Sequence, residues 1–226
     1  GAPIDLLHLA EAANAAGMTV SVPRLPGHGT HPDDFARCRA EDWLNHAAES
    51  FRELEARCET VAVAGLSMGG LLATILAGTF SVSHLALFAA AFAVRKVPIG
   101  LGQVLGPVIP RVRSRVFTRR PEGDVRKVFY DEYAEWLFVK QVGELSRIRR
   151  LAWRALPSVE APVMAWFSHD DEVVPPEAAD ALKRLSPGVQ QTVRMLRGVG
   201  HVITVYESRD LVTEGTLSFL VDGTAS

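Results

Sequence analysis

A mostly parallel α/β sheet with helices on both faces is predicted here, and three observations carry the prediction. Apolar, β-type runs alternate with helical spacings along most of the chain. A tight Gly-x-Ser-x-Gly string sits where one of those runs gives way to a helix. The 226 residues, 48% hydrophobic and 22% charged, suit one buried core and are too few for two full-sized domains.

The elements follow in order. Residues 3–16 are rich in Ala and Leu at helical spacing and stop at Gly17, a residue type that accepts the left-handed position after a helix. Residues 18–23 form a short β-rich run ended by Pro23. From Glu41 onward Trp43, Leu44, Ala47, Ala48, Phe51 and Leu54 recur at helical intervals, and residues 60–65 follow as a near-continuous apolar strand. A helix over 70–77 and a strand over 82–89 continue the alternation. It resumes later with a strand over 162–167, a helix over 177–185, a strand over 191–196 and a closing helix around 207–220.

Between these stretches the rhythm breaks. A Gly- and Pro-rich apolar stretch, residues 97–110, leads into a basic run over 111–120, and two amphipathic helices are expected after it. The first runs through Val125, Val128, Phe129, Tyr133, Trp136 and Leu137, the second through Leu145, Ile148, Leu151 and Trp153. Residues 92–159 are therefore expected to be a helical cap inserted into a core made of residues 1–91 and 160–226.

Composition narrows the function. With 24 basic and 26 acidic side chains the formal charge is -2, so no broad positive field is available to hold nucleic acid or an anionic membrane. The longest apolar stretches, such as residues 85–94, fall short of the roughly 20 residues that span a bilayer, and a soluble protein is expected. Cys38 and Cys58 lack the spacing of a zinc or redox site and read as free thiols. No basic segment followed by an apolar one opens the chain, so a cytoplasmic location is expected.

The chemistry concentrates at Gly65-Leu66-Ser67-Met68-Gly69-Gly70. A sharp strand-to-helix turn there would strain Ser67, crowd its neighbours until only glycine fits at Gly65 and Gly69, and leave the Ser67 hydroxyl exposed. The helix that follows aims free N–H groups at the same place, so the Met68 amide can donate to an oxygen gaining negative charge. Serine needs a base and the base needs an acid. Asp171 follows the strand over 162–167 and His201 follows the strand over 191–196, so all three lie where strands end on one edge of the sheet. Asp170 stays open as an alternative acid. Of the other histidines, His8, His46 and His84 fall inside elements and read as structural, and His169 is worse placed than His201 to be the base. His28 and His31 share a loop with Asp33 and Asp34 but without metal-ligand spacing, so neither metal nor cofactor is expected.

Four segments resemble the α/β-hydrolase superfamily, in particular its small carboxylesterase and monoacylglycerol lipase-like branch: residues 25–30 (Leu-Pro-Gly-His-Gly-Thr), 63–70 around Ser67, 169–174 around Asp171 and 200–204 around His201. The resemblance implies an α/β-hydrolase fold with Ser67, Asp171 and His201 as the catalytic triad, Met68 as one oxyanion donor, and the cap over 92–159 shaping an acyl pocket. In that family the second oxyanion donor comes from a His-Gly motif ending a strand just ahead of the first helix. Residue 1 already lies in that turn, so the chain is expected to be a fragment of a longer enzyme whose third strand and second donor lie upstream of Gly1. Residues 18–23 would then lack one neighbour in mid-sheet. The reaction implied is hydrolysis of a small apolar ester, of short or medium acyl chain or a monoglyceride, through an acyl-enzyme. A thioesterase, a lactonase, a carbon–carbon bond hydrolase of the same fold, or a non-catalytic binding protein built on it, are the alternatives. Oligomeric state is left open.

Overall fold

A computed structural model describes residues 2–95, 111–113 and 136–222. Its sheet has four parallel strands in the order β1 (Val63–Leu66), β2 (Leu85–Phe88), β5 (Val163–Ser168) and β6 (Gln191–Leu196). A separate antiparallel pair, β3 (Arg111–Arg113) with β4 (Trp136–Phe138), lies in the stretch between β2 and β5. The helices are α1 (Leu7–Ala15), α2 (Pro32–Arg37), α3 (Ala40–Glu55), α4 (Met68–Ala77), α5 (Val139–Ala155) and α6 (Arg209–Asp222).

Strand periodicity divides the core in two. Leu85, Leu87, Val163, Ala165 and Phe167 face one side and join a cluster with Trp43, Phe51, Leu71, Leu72 and Ile148 of α3, α4 and α5. The intervening Ala86, Phe88, Met164 and Trp166 face the other side and meet Leu9 of α1 and Val212 and Phe219 of α6. Both faces of β2 and β5 are thus dry, which is why these strands read as continuous apolar runs.

Several elements differ from the sequence prediction. The strand expected over 60–65 is shorter, starting at Val63. The helix expected over 177–185 winds as a 3₁₀ helix, Pro176–Arg184, whose threefold period puts Ala178 and Ala181 on one buried row. Helix α2 was not foreseen, although Pro32 in its first turn, followed by Asp33 and Asp34, is a helix-start pattern. The first amphipathic helix expected after the basic run, and the apolar residues 97–110, lie outside the described residues. Of the span expected as a cap, α5 packs on the core, with Ile148 and Ala152 fully buried.

One correction bears on function. Residues 18–23 are not a strand: Met18 N–H closes the end of α1 by donating to Ala13 O at 3.1 Å, and residues 19–23 make no backbone hydrogen bond to another segment among the described residues. A strand persists only where its N–H and C=O groups find a ladder, and residues 19–23 find none among the described residues. On the facing side β1 pairs with β2 alone among the described residues. Val63 and Ser67 donate to the carbonyls of His84 and Phe88, so Ala64 and Leu66 between them turn their backbone groups the other way. Between the two segments lies a cavity of about 690 Å³ lined by Leu6, Val20, Val22, Ala64, Leu66 and Leu72 among others. Ala64, on the outer flank of β1, is exposed.

Candidate active site

Ser67 closes β1 and caps α4, with φ 56° and ψ -116°, a strained conformation for a residue with a Cβ. The turn is pinned around it. Its N–H donates to Phe88 O at 2.8 Å, and its carbonyl accepts from the N–H groups of Gly70 and Ala91 at 3.1 and 3.2 Å. A Cβ on Gly65 would stand 2.2 Å from Gly69 O, so the turn cannot close around any larger residue there. The same argument fails at Gly69, where a Cβ meets nothing within 4 Å. The second crowded position is Gly70, whose Cβ would come within 2.7 Å of Ala90 Cβ. Gly69 points away from the turn and Gly70 points into the strand beside it. Met68 opens α4, so its N–H has no acceptor within the helix and is free to meet an oxygen beside Ser67.

The acid and base loops leave adjacent parallel strands, in register from Val163↔Gln191 to Ser168↔Leu196, so they emerge side by side. Asp171 and His201 meet there. Asp171 Oδ2 lies 2.8 Å from His201 Nδ1, with the two residues 2% and 6% exposed. The other carboxylate oxygen, Oδ1, accepts from the N–H groups of Val173 and Val174 at 2.7 and 2.8 Å. A carboxylate only accepts, so Nδ1 carries the ring proton and Nε2 is left with its lone pair in the neutral ring. Asp170, the alternative acid, is turned away: its Oδ2 accepts from Gly198 N–H at 2.7 Å. Ser67 stands at the same carboxyl edge, at the end of β1, and its hydroxyl has no hydrogen-bond partner among the described residues.

Two further bonds tie the loops together. Ser168 Oγ donates to Val199 O at 2.6 Å, and His201 N–H donates to Glu172 Oε2 at 3.2 Å. Sequence reasoning passed over Glu172. The available signal was the run of three acids, Asp170, Asp171 and Glu172, ahead of a glycine-flanked histidine.

The remaining histidines are held separately. His28 is buried between Phe35 and Trp43, with ring centroids at 5.1 and 5.7 Å, and donates from Nδ1 to Pro26 O at 3.2 Å. Burial lowers its pKa to about 4, so it is neutral near pH 7. His31 turns to the start of α2, where its Nδ1 accepts from Asp33 N–H. His8 pairs with Asp210 at 3.1 Å, and His84 lies edge-on to Phe219. Among the described residues no three His, Cys, Asp or Glu side chains converge as a metal would need.

A profile of the alpha/beta hydrolase family matches residues 3–214. The chain belongs to that family. It is 31% identical over 219 residues to a thermostable monoacylglycerol lipase of Bacillus sp. (strain H-257), covering 97% of this chain and 86% of that protein. A carboxylesterase of Bacillus subtilis (strain 168) is 22% identical over 97% of this chain and 88% of its own length. Among solved structures, one reported for the metagenome-derived lipolytic enzymes LipS and LipT superposes with a TM-score of 0.84 at 26% identity, over 98% of this chain and 89% of that one.

Proposed function

We propose that this hydrolase cleaves carboxylic esters through an acyl-enzyme, with Ser67 as nucleophile, His201 as base and Asp171 as its orienting acid. The observation that carries the proposal is the buried 2.8 Å contact of Asp171 with His201, on the sheet edge where Ser67 ends β1 in a strained turn. His201 Nε2 takes the hydroxyl proton as Ser67 Oγ bonds to the ester carbonyl carbon, and the carbonyl electrons move to oxygen. Met68 N–H donates to that oxyanion. As the tetrahedral centre collapses, the bond to the alkoxy oxygen breaks and the departing alcohol takes the proton from Nε2. Water then repeats the sequence on the acyl-enzyme, releasing the acid and restoring Ser67.

The relatives named monoacylglycerol lipase and carboxylesterase favour an apolar acyl ester as substrate. The expectation that the insertion between β2 and β5 shapes the acyl pocket rests on the family resemblance, and its described helix α5 packs on the core. Among the described residues no helix is long and apolar enough to cross a membrane, and the free thiols Cys38 and Cys58 suit a cytoplasmic enzyme.

The test is labelling by a fluorophosphonate together with turnover of p-nitrophenyl esters, monoacylglycerols and acyl-CoA thioesters. Wild-type protein should label and should turn over oxygen esters best, and Ser67→Ala should lose both, with turnover down by at least about 10³-fold. Labelling that survives Ser67→Ala would show that another residue is the nucleophile. A preference for the thioester would move the assignment to a thioesterase.

A further inference from the structure

Three consecutive carboxylates close on one four-residue loop. Asp170 takes the N–H of Gly198, Asp171 takes the ring of His201, and Glu172 takes the backbone N–H of the same His201. The first is a loop tie and the second is the acid of the proposed triad. The third has no assigned role.

We propose that Glu172 is a positioning residue for His201, fixing the backbone from which the imidazole is aimed at Ser67; this rests on His201 being the base. A single contact at Nδ1 leaves the ring free to pivot about the Oδ2···Nδ1 line. A bond to the N–H of the same residue, made by the neighbour of Asp171, holds the ring and its Cα from one rigid turn. That turn is stiff because Asp171 Oδ1 is already bonded to Val173 and Val174 N–H. The bond is charge-assisted and lies in a mostly buried place: His201 is 6% exposed, and no other acceptor for its N–H exists among the described residues.

Gly200 supports the same reading independently. A Cβ at that position would lie 3.2 Å from Glu172 Oε2, the very oxygen that accepts from His201 N–H. Gly200 has ordinary backbone angles, so glycine is not needed there for conformation. It leaves room for the carboxylate. A methyl at 200 shifts a flexible side-chain end by a few tenths of an ångström, which costs the fold little and disturbs an acceptor already 3.2 Å from its donor.

The experiment compares Glu172→Ala, Glu172→Gln and Gly200→Ala in kcat, KM, fluorophosphonate labelling rate and Tm. Glu172→Ala should lower kcat and the labelling rate by about 10- to 100-fold, the loss a displaced catalytic group produces, with KM within about twofold. Glu172→Gln keeps an oxygen acceptor for the N–H and should stay within about threefold of wild type. Gly200→Ala should share the loss of Glu172→Ala, and the double variant should be no slower than the slower single one, because both remove one bond. The proposal is overturned by unchanged kcat in Glu172→Ala, by a Glu172→Gln as slow as the alanine, by a rise in KM at constant kcat, or by losses that multiply in the double variant. If Glu172→Ala does not fold, Gly200→Ala decides in the same terms: lowered kcat at constant KM supports the proposal, and unchanged kcat overturns it. Failure of the hydrolase reading itself looks different, since wild-type protein would then not label at all.

Discussion

The two ends of the proposed site are built to different standards. At the β5–β6 end four side chains hold the base: Asp170, Asp171, Glu172 and Ser168 each bond the loop that carries the histidine. At the β1 end the Ser67 turn is pinned toward β2, and its other flank faces a cavity where the backbone of Ala64 and Leu66 has no strand partner among the described residues. The base is therefore preorganised by contacts local to two adjacent strands.

The comparison can be broken at either end. The largest effect is expected at the tied end: Asp171→Asn keeps the shape but offers an N–H where Nδ1–H needs an acceptor, so kcat should fall by about 10⁴ while Tm moves little. A small loss would mean that Asp170 or Glu172 takes over. At the β1 end, Gly65→Ala forces a Cβ to within 2.2 Å of Gly69 O, and urea unfolding should show a stability loss of about 3 kcal/mol or more together with loss of activity.

The cavity wall supplies a pH test. His28 lines the cavity, and burial lowers its pKa from 6.5 to about 4. Unfolded chains bind this proton below about pH 6.5 and the folded one only near pH 4, so stability contributed by the neutral ring is intact above 6.5 and is lost as pH falls through that window. By pH 4 the loss should approach about 3 kcal/mol, read as the shift of the urea midpoint against His28→Asn, whose curve should be flatter. Equal slopes would mean that the ring is hydrated. The smallest effect separates two neighbours: Gly69→Ala meets open space and, inside α4, should be neutral or stabilising by up to about 1 kcal/mol, whereas Gly70→Ala should destabilise against Ala90.

The tied end was the more legible in sequence. Asp171 and His201 could be placed because each follows an apolar strand closely, and parallel strands in one register bring such loops together. Glu172 was not legible, since its role depends on where a backbone N–H points, which no spacing of residue types reveals. The roles of Gly69 and Gly70 were misassigned for a related reason: the string Gly-x-Ser-x-Gly-Gly shows small residues without showing which face each turns to the strand. Residues 18–23 have β-type side chains but no strand partner among the described residues, and pairing is a property of the neighbour as much as of the segment.

The half-paired β1 leaves a signature that amide exchange can read residue by residue. Val63, Gly65 and Ser67 spend their protons on β2 and should be among the slowest to take up deuterium, whereas Ala64 and Leu66, whose N–H groups have no acceptor among the described residues, should exchange orders of magnitude faster. Protection along this short strand should therefore rise and fall with a period of two, while β2 next door, flanked on both sides, is protected throughout.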